Sequence, residues 1–180
     1  MYRKGFTLLE LLIVIAILAV LATVAVLVIN PNDIAKKART SQRLSDLKTI
    51  EDALRQYALD NGSYPNNGWG WRSECNMWGG YTQDNVIPGL VPKYLAKFPS
   101  DPGMNKVANR SCYLYLSNGV DYKIVDHDIA EYSAADYLAH SDVVDPARDG
   151  GADPCAVDGS NPWAWARYSP GVTASGCGVW

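Results

Sequence analysis

Glu10 is the one acidic side chain in an apolar run, four residues after Phe6 in the stretch Lys4-Gly5-Phe6-Thr7-Leu8-Leu9-Glu10. A carboxylate kept away from water is costly unless a cation meets it, so this one points to charge pairing and not to bond-breaking chemistry. Other reactive residue types are sparse. His127 and His140 are the only histidines. Asp126-His127-Asp128 has the composition of a metal or catalytic pair, but a single acid-flanked histidine in a surface segment reads first as a solvated one. There is no HExxH, no serine nucleophile elbow and no glycine-rich phosphate loop. Asp142, Asp145, Asp149, Asp153 and Asp158 crowd one Gly/Pro-containing loop, where a hard cation such as calcium finds oxygen ligands. Their spacing fits no EF-hand. A solvated acidic loop is therefore the first reading of Asp142–Asp158 and calcium the second, with no other cofactor or metal expected. Trp69, Trp71, Trp78 and Tyr81, then Trp163, Trp165 and Trp180, offer flat faces to sugars or bases, or cover for loops and sheet; covering is preferred. No catalytic residue is assigned, and the chain is read as non-enzymatic.

Cysteine chemistry separates the ends of the chain. All four cysteines, Cys75, Cys112, Cys155 and Cys177, lie beyond the apolar run, and no C-x-x-C pair occurs. An even set of this kind favours disulfides over zinc and an oxidising compartment over the cytoplasm, with reduced, buried thiols as the alternative. Of the three connectivities allowed, Cys75–Cys112 with Cys155–Cys177 is favoured, since each closes a loop of moderate length and staples a Gly/Pro-rich region.

The elements that carry these residues follow from periodicity. From Leu11 to Ile29 there are 19 residues with Thr23 the only polar one. At ~1.5 Å per residue they span about 28 Å, close to the ~30 Å hydrocarbon thickness of a bilayer. Arg3 and Lys4 precede the run, which leaves the N-terminus in the cytoplasm and sends the remainder outward. The run is longer than a signal-peptide core and no small-x-small cleavage site closes it, so it is expected to be retained. Past Pro31, Leu44, Leu47, Ile50, Leu54, Tyr57 and Ala58 recur at spacings of three and four and draw one apolar stripe, with Lys48, Glu51, Asp52 and Arg55 off it. Gly62 supplies a left-handed stop. Residues 6–61 read as one nearly continuous helix, bent or loosened at Pro31.

Residues 63–111 read as irregular, with a short helix at Val91–Ala96. Strand patterning is clearest in Cys112-Tyr-Leu-Tyr-Leu-Ser117 and in Val120–Ile124, joined by a tight Asn118-Gly119 turn. Ser133–His140 is read as one or two helical turns, and Trp163–Ser169 as a third strand. A length of 180 residues suits one domain with an appendage. With 16 basic against 19 acidic residues the net charge is −3, which argues against a nucleic-acid surface, and no specific nucleic acid is expected as a partner. The fold class is α+β: a long helix packed on a small antiparallel sheet with disulfide-stapled loops.

Leader charge, Gly5-Phe6, Glu10 and the apolar run together resemble the processing motif of type IV pilins and type II secretion pseudopilins. The stretches Leu47–Pro65, Leu90–Pro102 and Tyr113–Ile124 are similar to the major-pseudopilin branch. The resemblance implies a pilin-like fold, with residues 1–5 as leader, 6–30 as transmembrane and assembly helix, 31–62 as amphipathic helix and 63–180 as extracytoplasmic globular domain. It implies cleavage between Gly5 and Phe6 by a prepilin peptidase that also methylates Phe6, and it makes Glu10 the assembly glutamate. Expected partners are further copies in a helical filament, the peptidase, an assembly ATPase, a platform membrane protein and, before assembly, the inner membrane. Some members of that family bind calcium near the C-terminus, but their ligands find no positional counterparts here. The expected role is a structural subunit of a pilus-like or pseudopilus filament, held in the cytoplasmic membrane and later periplasmic or at the cell surface. The reading from a different class is a membrane-anchored binding or enzymatic domain with the Trp-rich loop as its site.

Overall fold

The computed structural model describes residues 5–28, 30–68, 70–129, 131–145, 164–170 and 172. The chain divides into two compact units, Met1–Ala38 and Arg39–Trp180, taken in turn.

In the first unit, helix α1 runs from Leu8 to Val28, and its side chains are described as far as Thr23. The run's single hydroxyl is satisfied inside the helix, Thr23 Oγ1 donating to the Ala19 carbonyl at 2.8 Å. Over the described residues, no helix is long and apolar enough to cross a membrane. Helix α2 (Pro31–Asn61) starts afresh. Asn30 is its N-cap: the side-chain oxygen accepts from Asn32 N at 3.1 Å, and the Asn30 carbonyl accepts from Ile34 N at 3.3 Å. Pro31 therefore sits in the first helical position, where its missing N–H would have had no partner anyway. The expectation of one nearly continuous helix loosened at Pro31 is corrected to two helices, the second opened by the proline.

In the second unit the α2 stripe forms as its spacing predicts. Leu47, Ile50 and Leu54 are completely buried, with Leu44 and Tyr57 packed at the margin. The C-terminus closes on Gly62, at φ +74°, whose N–H donates to the Ala58 carbonyl at 2.8 Å. One polar residue was misplaced by periodicity and another was overlooked. Glu51, expected in water, is only 6% exposed, and Arg43, given no role, is 1% exposed.

Four strands, β1 (Arg72–Ser73), β2 (Cys112–Ser117), β3 (Tyr122–His127) and β4 (Ala164–Tyr168), form one antiparallel sheet in chain order. Strands β2 and β3 pair from Cys112↔His127 to Ser117↔Tyr122. The period-two alternation of side chains splits the core. Tyr113, Tyr115, Tyr122, Ile124 and Trp165 join the α2 stripe in one cluster. Leu114, Val125, Ala164 and Ala166 form a second cluster with Cys75 and Cys112, under Trp71, Trp78 and Met104. The tight Asn-Gly turn is corrected to a longer loop, Asn118–Asp121, because the Asn118 side chain accepts from both Val120 N (2.8 Å) and Asp121 N (2.7 Å).

Cys75 and Cys112 are disulfide-bonded, while Cys155 and Cys177 lie outside the described residues. The segment read as irregular contains the edge strand β1 and a 3-10 turn at Asn76–Trp78. Val91–Ala96 forms turns instead of a helix, Tyr94 N and Leu95 N both donating to the Leu90 carbonyl (2.9 and 3.2 Å). Helix α3 (Ala134–Leu138) is short and begins with a capping box between Ser133 and Asp136.

Leu54→Ala opens a cavity at a site with no solvent exposure and is expected to cost about 2–5 kcal/mol, read from urea unfolding. Leu59→Ala, one turn on but 85% exposed, should change stability by less than about 0.5 kcal/mol.

Candidate functional site

The residues of the N-terminal motif sit in exposed chain. Gly5, Phe6 and Thr7 precede α1 in non-helical conformation, Phe6 is 79% exposed, and a Cβ placed at Gly5 would meet nothing within 4 Å. The Gly5–Phe6 peptide is thus open to a protease cleft. Behind it, the leucines, isoleucines and valines of α1 from Leu8 to Leu21 stand 44–81% exposed in the single chain.

Glu10 occupies the third helical position of α1, with Thr7 as N-cap. Its Oε2 accepts from Thr7 N (2.9 Å) and from Thr7 Oγ1 (2.8 Å), while Glu10 N donates back to Thr7 Oγ1 (3.2 Å). This is a capping box, and a carboxylate there also meets the positive end of the helix dipole. Sequence reasoning missed Thr7, although Thr7-x-x-Glu10 before an apolar run is the pattern that signals such a cap. Within one chain, then, Glu10 already has a role: it starts α1. The capping bonds use Oε2 alone.

A second polar cluster lies under the globular unit. Arg43 reaches from α2 into the core and donates through Nε and Nη2 to Asp101 (2.5 and 3.0 Å). Its Nη1 donates to Tyr132 Oη at 2.8 Å and to Glu131, which also accepts from Arg39 Nη2 at 2.6 Å. Asp126 of β3 stands 3.5 Å from Arg43 Nε, and Tyr113 donates to Asp46 at 3.1 Å beside it. Burial opposes the charge of Arg43, but Asp101, Asp126 and Glu131 outweigh it and keep it protonated. Burial raises the Asp126 pKa well above the usual carboxylate range, and the charge of Asp101 adds to this against the pull of Arg43. For Glu131, burial also pushes upward, but the hydrogen bonds from Arg39 and Arg43 prevail and hold it low. The cluster fastens α2 to the loops at 101 and 131.

The remaining sequence candidates are scattered. His127, read as solvated, is buried in β3 with its ring edge-on to Trp78 at 4.6 Å, and His140 packs against Trp165 at 5.3 Å. Asp128 pairs with Arg110 at 3.2 Å. Asp145, read as part of a solvated loop, is instead fully buried and holds Lys123 Nζ at 2.8 Å. Asp142 is exposed and lies 3.5 Å from Arg167. Asp149, Asp153 and Asp158 fall outside the described residues, and among the described residues no group of three or more His, Cys, Asp or Glu could hold a metal ion. Trp71 and Trp78 pack on the second cluster, Tyr81 lies under the Arg72 guanidinium at 3.6 Å, and Trp165 is fully buried. Trp69, Trp163 and Trp180 are not among the described residues.

Comparison with known proteins places these observations. Residues 1–26 match the model of the prokaryotic N-terminal methylation motif. The chain is 31% identical over 136 residues to the type II secretion system core protein G of Escherichia coli (strain K12), covering 70% of this chain and 88% of that protein. The proteins of the same name from Vibrio cholerae and Aeromonas hydrophila are 33% and 30% identical, covering 65% and 75% of this chain and 73% and 96% of theirs. No solved structure matches.

Removing Arg43 strands buried carboxylates, so Arg43→Ala is expected to cost about 3–5 kcal/mol in urea unfolding. The two shifted acids act in opposite senses with pH. Glu131, held low, stabilises above its unfolded value and loses that contribution as pH falls through its folded pKa. Asp126, held high, is unpenalised below its unfolded value near ~3.9 and costs stability as pH rises from there. Asp126→Asn lifts that penalty, so its stability relative to the parent should grow between pH 4 and pH 7. A difference that stays flat with pH contradicts the assignment.

Proposed function

The chain belongs to the family of the type II secretion system core protein G, and from that membership we propose that it is built into a pseudopilus by the chemistry of its first 30 residues. It is a structural subunit of the pseudopilus, a filament of the secretion machinery. The observation that carries the detailed reading is the coincidence, within residues matching the methylation motif, of a basic leader, Gly5-Phe6, Glu10 and the apolar run.

In this reading the subunit waits in the cytoplasmic membrane, residues 6–30 spanning the bilayer with the globular domain outside. Residues 1–5 are removed at the exposed Gly5–Phe6 peptide and the new amine of Phe6 is methylated. In the bilayer, Glu10 lies near the cytoplasmic boundary, where headgroups and the Thr7 cap meet its charge. In a filament the α1 segments bundle and water leaves. The amine of a neighbour's Phe6, displaced by about one helical turn, is the cation that then approaches Glu10. A buried pair of this kind yields little net stability, but a misplaced subunit strands both charges, so the pair selects axial register. Cohesion comes from the apolar side chains of α1, exposed in the single chain and covered in the bundle. An assembly ATPase and a platform protein in the membrane complete the expected machinery.

Of the Trp-rich loop that the anchored-domain alternative would use, Trp71 and Trp78 are partly buried against the second core, which favours a covering role for them.

Glu10→Gln and Glu10→Ala should insert and be cleaved normally yet give no filaments by electron microscopy. Mass spectrometry of the assembled subunit should find N-methyl-Phe6 at the new terminus. Normal filaments from either variant, or an intact Met1 in the filament, would count decisively against this function.

A further inference from the structure

We infer that the junction of α2, β3 and the turn at 101–104 is a latch worked by a single proton. With that proton, Asp126 donates to Asp101 and leaves Arg43 to hold the turn. Without it, Asp126 takes Arg43 Nε away from Asp101 and the turn is released. The device is a property of the globular unit and holds whether or not the chain polymerises.

The argument begins with a count of donors. Asp126 sits inside the sheet, opposite Tyr113 of β2 on one side and Trp165 of β4 on the other, and has no solvent exposure. Neither of its carboxyl oxygens accepts a hydrogen bond among the described residues. The donors around it are committed elsewhere. Tyr113 donates to Asp46 of α2 at 3.1 Å. Of the five N–H donors of a guanidinium, Arg43 spends Nε and one on Nη2 on Asp101, and those on Nη1 on Glu131 and Tyr132. A buried carboxylate that accepts nothing is costly, whereas a buried carboxylic acid needs only an acceptor for its proton. Asp101 is in place to be that acceptor, because Arg43 Nε lies 2.5 Å from Asp101 Oδ2 and 3.5 Å from Asp126 Oδ2.

The charges facing Asp126 agree. From α2 come Arg43 and Asp46, from the turn Asp101, and beyond β3 Glu131, which Arg39 also holds. The carboxyl groups of this cluster outnumber its two arginines, and two acids beside one donor do not both ionise cheaply. Burial above all, then the charge of Asp101, raises the proton affinity of Asp126 against the pull of Arg43, and a hydrogen bond with the Asp101 carboxyl adds to the rise.

Which part moves on ionisation follows from what is tied down. Asp126 is held in the ladder on both sides, and Arg43 rides on the helix whose Leu47, Ile50 and Leu54 are fully buried. Asp101 belongs to a tight turn, in which Gly103 N donates to its Oδ1 (2.5 Å) and Met104 N to its carbonyl (3.0 Å). That turn is folded down on the arginine: a Cβ at Gly103 would stand 2.9 Å from Arg43 Nη2 and 3.2 Å from Asp101 Oδ1. Once Asp126 is ionised, a shift of roughly 0.6 Å brings Nε from 3.5 Å into an ordinary hydrogen bond with it. Asp101 then loses its hold on α2. Glu131 and Tyr132 use the other arm of the guanidinium and stay. Because the folded pKa of Asp126 is the raised one, the latch is closed below that pKa and opens as pH rises through it.

The test follows the full chain in detergent micelles by NMR, with aspartate carboxyl carbons labelled with carbon-13. The Asp126 signal, assigned by its loss in Asp126→Asn, should titrate above the exposed aspartates. At the same midpoint the exchange protection of the Gly103 and Met104 amides, corrected for the base dependence of exchange itself, should fall by roughly tenfold or more. The amides of Ile50 and Leu114 should stay protected. In Asp126→Asn, which cannot ionise but still offers an N–H to Asp101, Gly103 and Met104 should remain protected over the whole range. Should that variant melt early, the coincidence of midpoints in the parent decides alone. An Asp126 that titrates with the exposed carboxylates, or titrates without any change at Gly103 and Met104, overturns the latch. So does the same fall in Asp126→Asn, or a fall that comes only when Ile50 and Leu114 lose protection as well.

Discussion

The globular unit depends on one packing constraint: Leu47, Ile50 and Leu54 of α2 must lie on the face of the sheet presented by Tyr113, Tyr115, Tyr122, Ile124 and Trp165. A helix with a single apolar stripe has no stable alternative in water. Tyrosines suit the sheet face because each ring covers a large area while its hydroxyl can still be satisfied at the edge, as Tyr115 does on the Pro65 carbonyl (2.7 Å) and Tyr113 on Asp46. The loop at 101 and the segment at 131–132 are then pinned to the same helix through Arg43. Apolar burial sets where the helix lies. The arginine sets which loops may lie beside it.

The chain handles inconvenient charge in two ways. In the globular unit Arg43 is surrounded by more acid than it can balance alone, and Asp126 meets that excess by holding its proton more tightly. Around Glu10 the solution is local: a threonine three residues earlier and the open end of its own helix. The second asks little of the rest of the molecule.

How much of this could be read from residues alone depends on the range of each signal. The α2 stripe, the Gly62 stop and the strands at 112–117 and 164–168 are local patterns of three, four or two residues, and all were legible. The two-helix break at Pro31 was misjudged because Asn30 was not recognised as a cap. The Thr7–Glu10 box was likewise written in the sequence but overshadowed by the motif around it. Burial of Arg43, Glu51, Asp126 and Asp145 could not have been read this way. The partners of Arg43 lie up to 89 residues away, and charge in a sequence signals solvent until a partner is placed, as it did for Glu51 even though its partners Lys48 and Arg55 are local. The edge strand β1 is too short, at two residues, to leave a pattern at all.

Lys123 and Asp145 form a closed ion pair, and beside it Asp145 N donates to the Ala164 carbonyl at 3.0 Å while Ala166 N donates to Val143. The two ends of the intervening stretch, 146–163, are thereby clamped to the sheet irrespective of what lies between them. Once a stem is fixed, doubling the length of chain it encloses costs only about 0.6 kcal/mol of closure entropy. Asp145 and Ala164 are therefore fixed points at one edge of the sheet, each anchored by partners of its own.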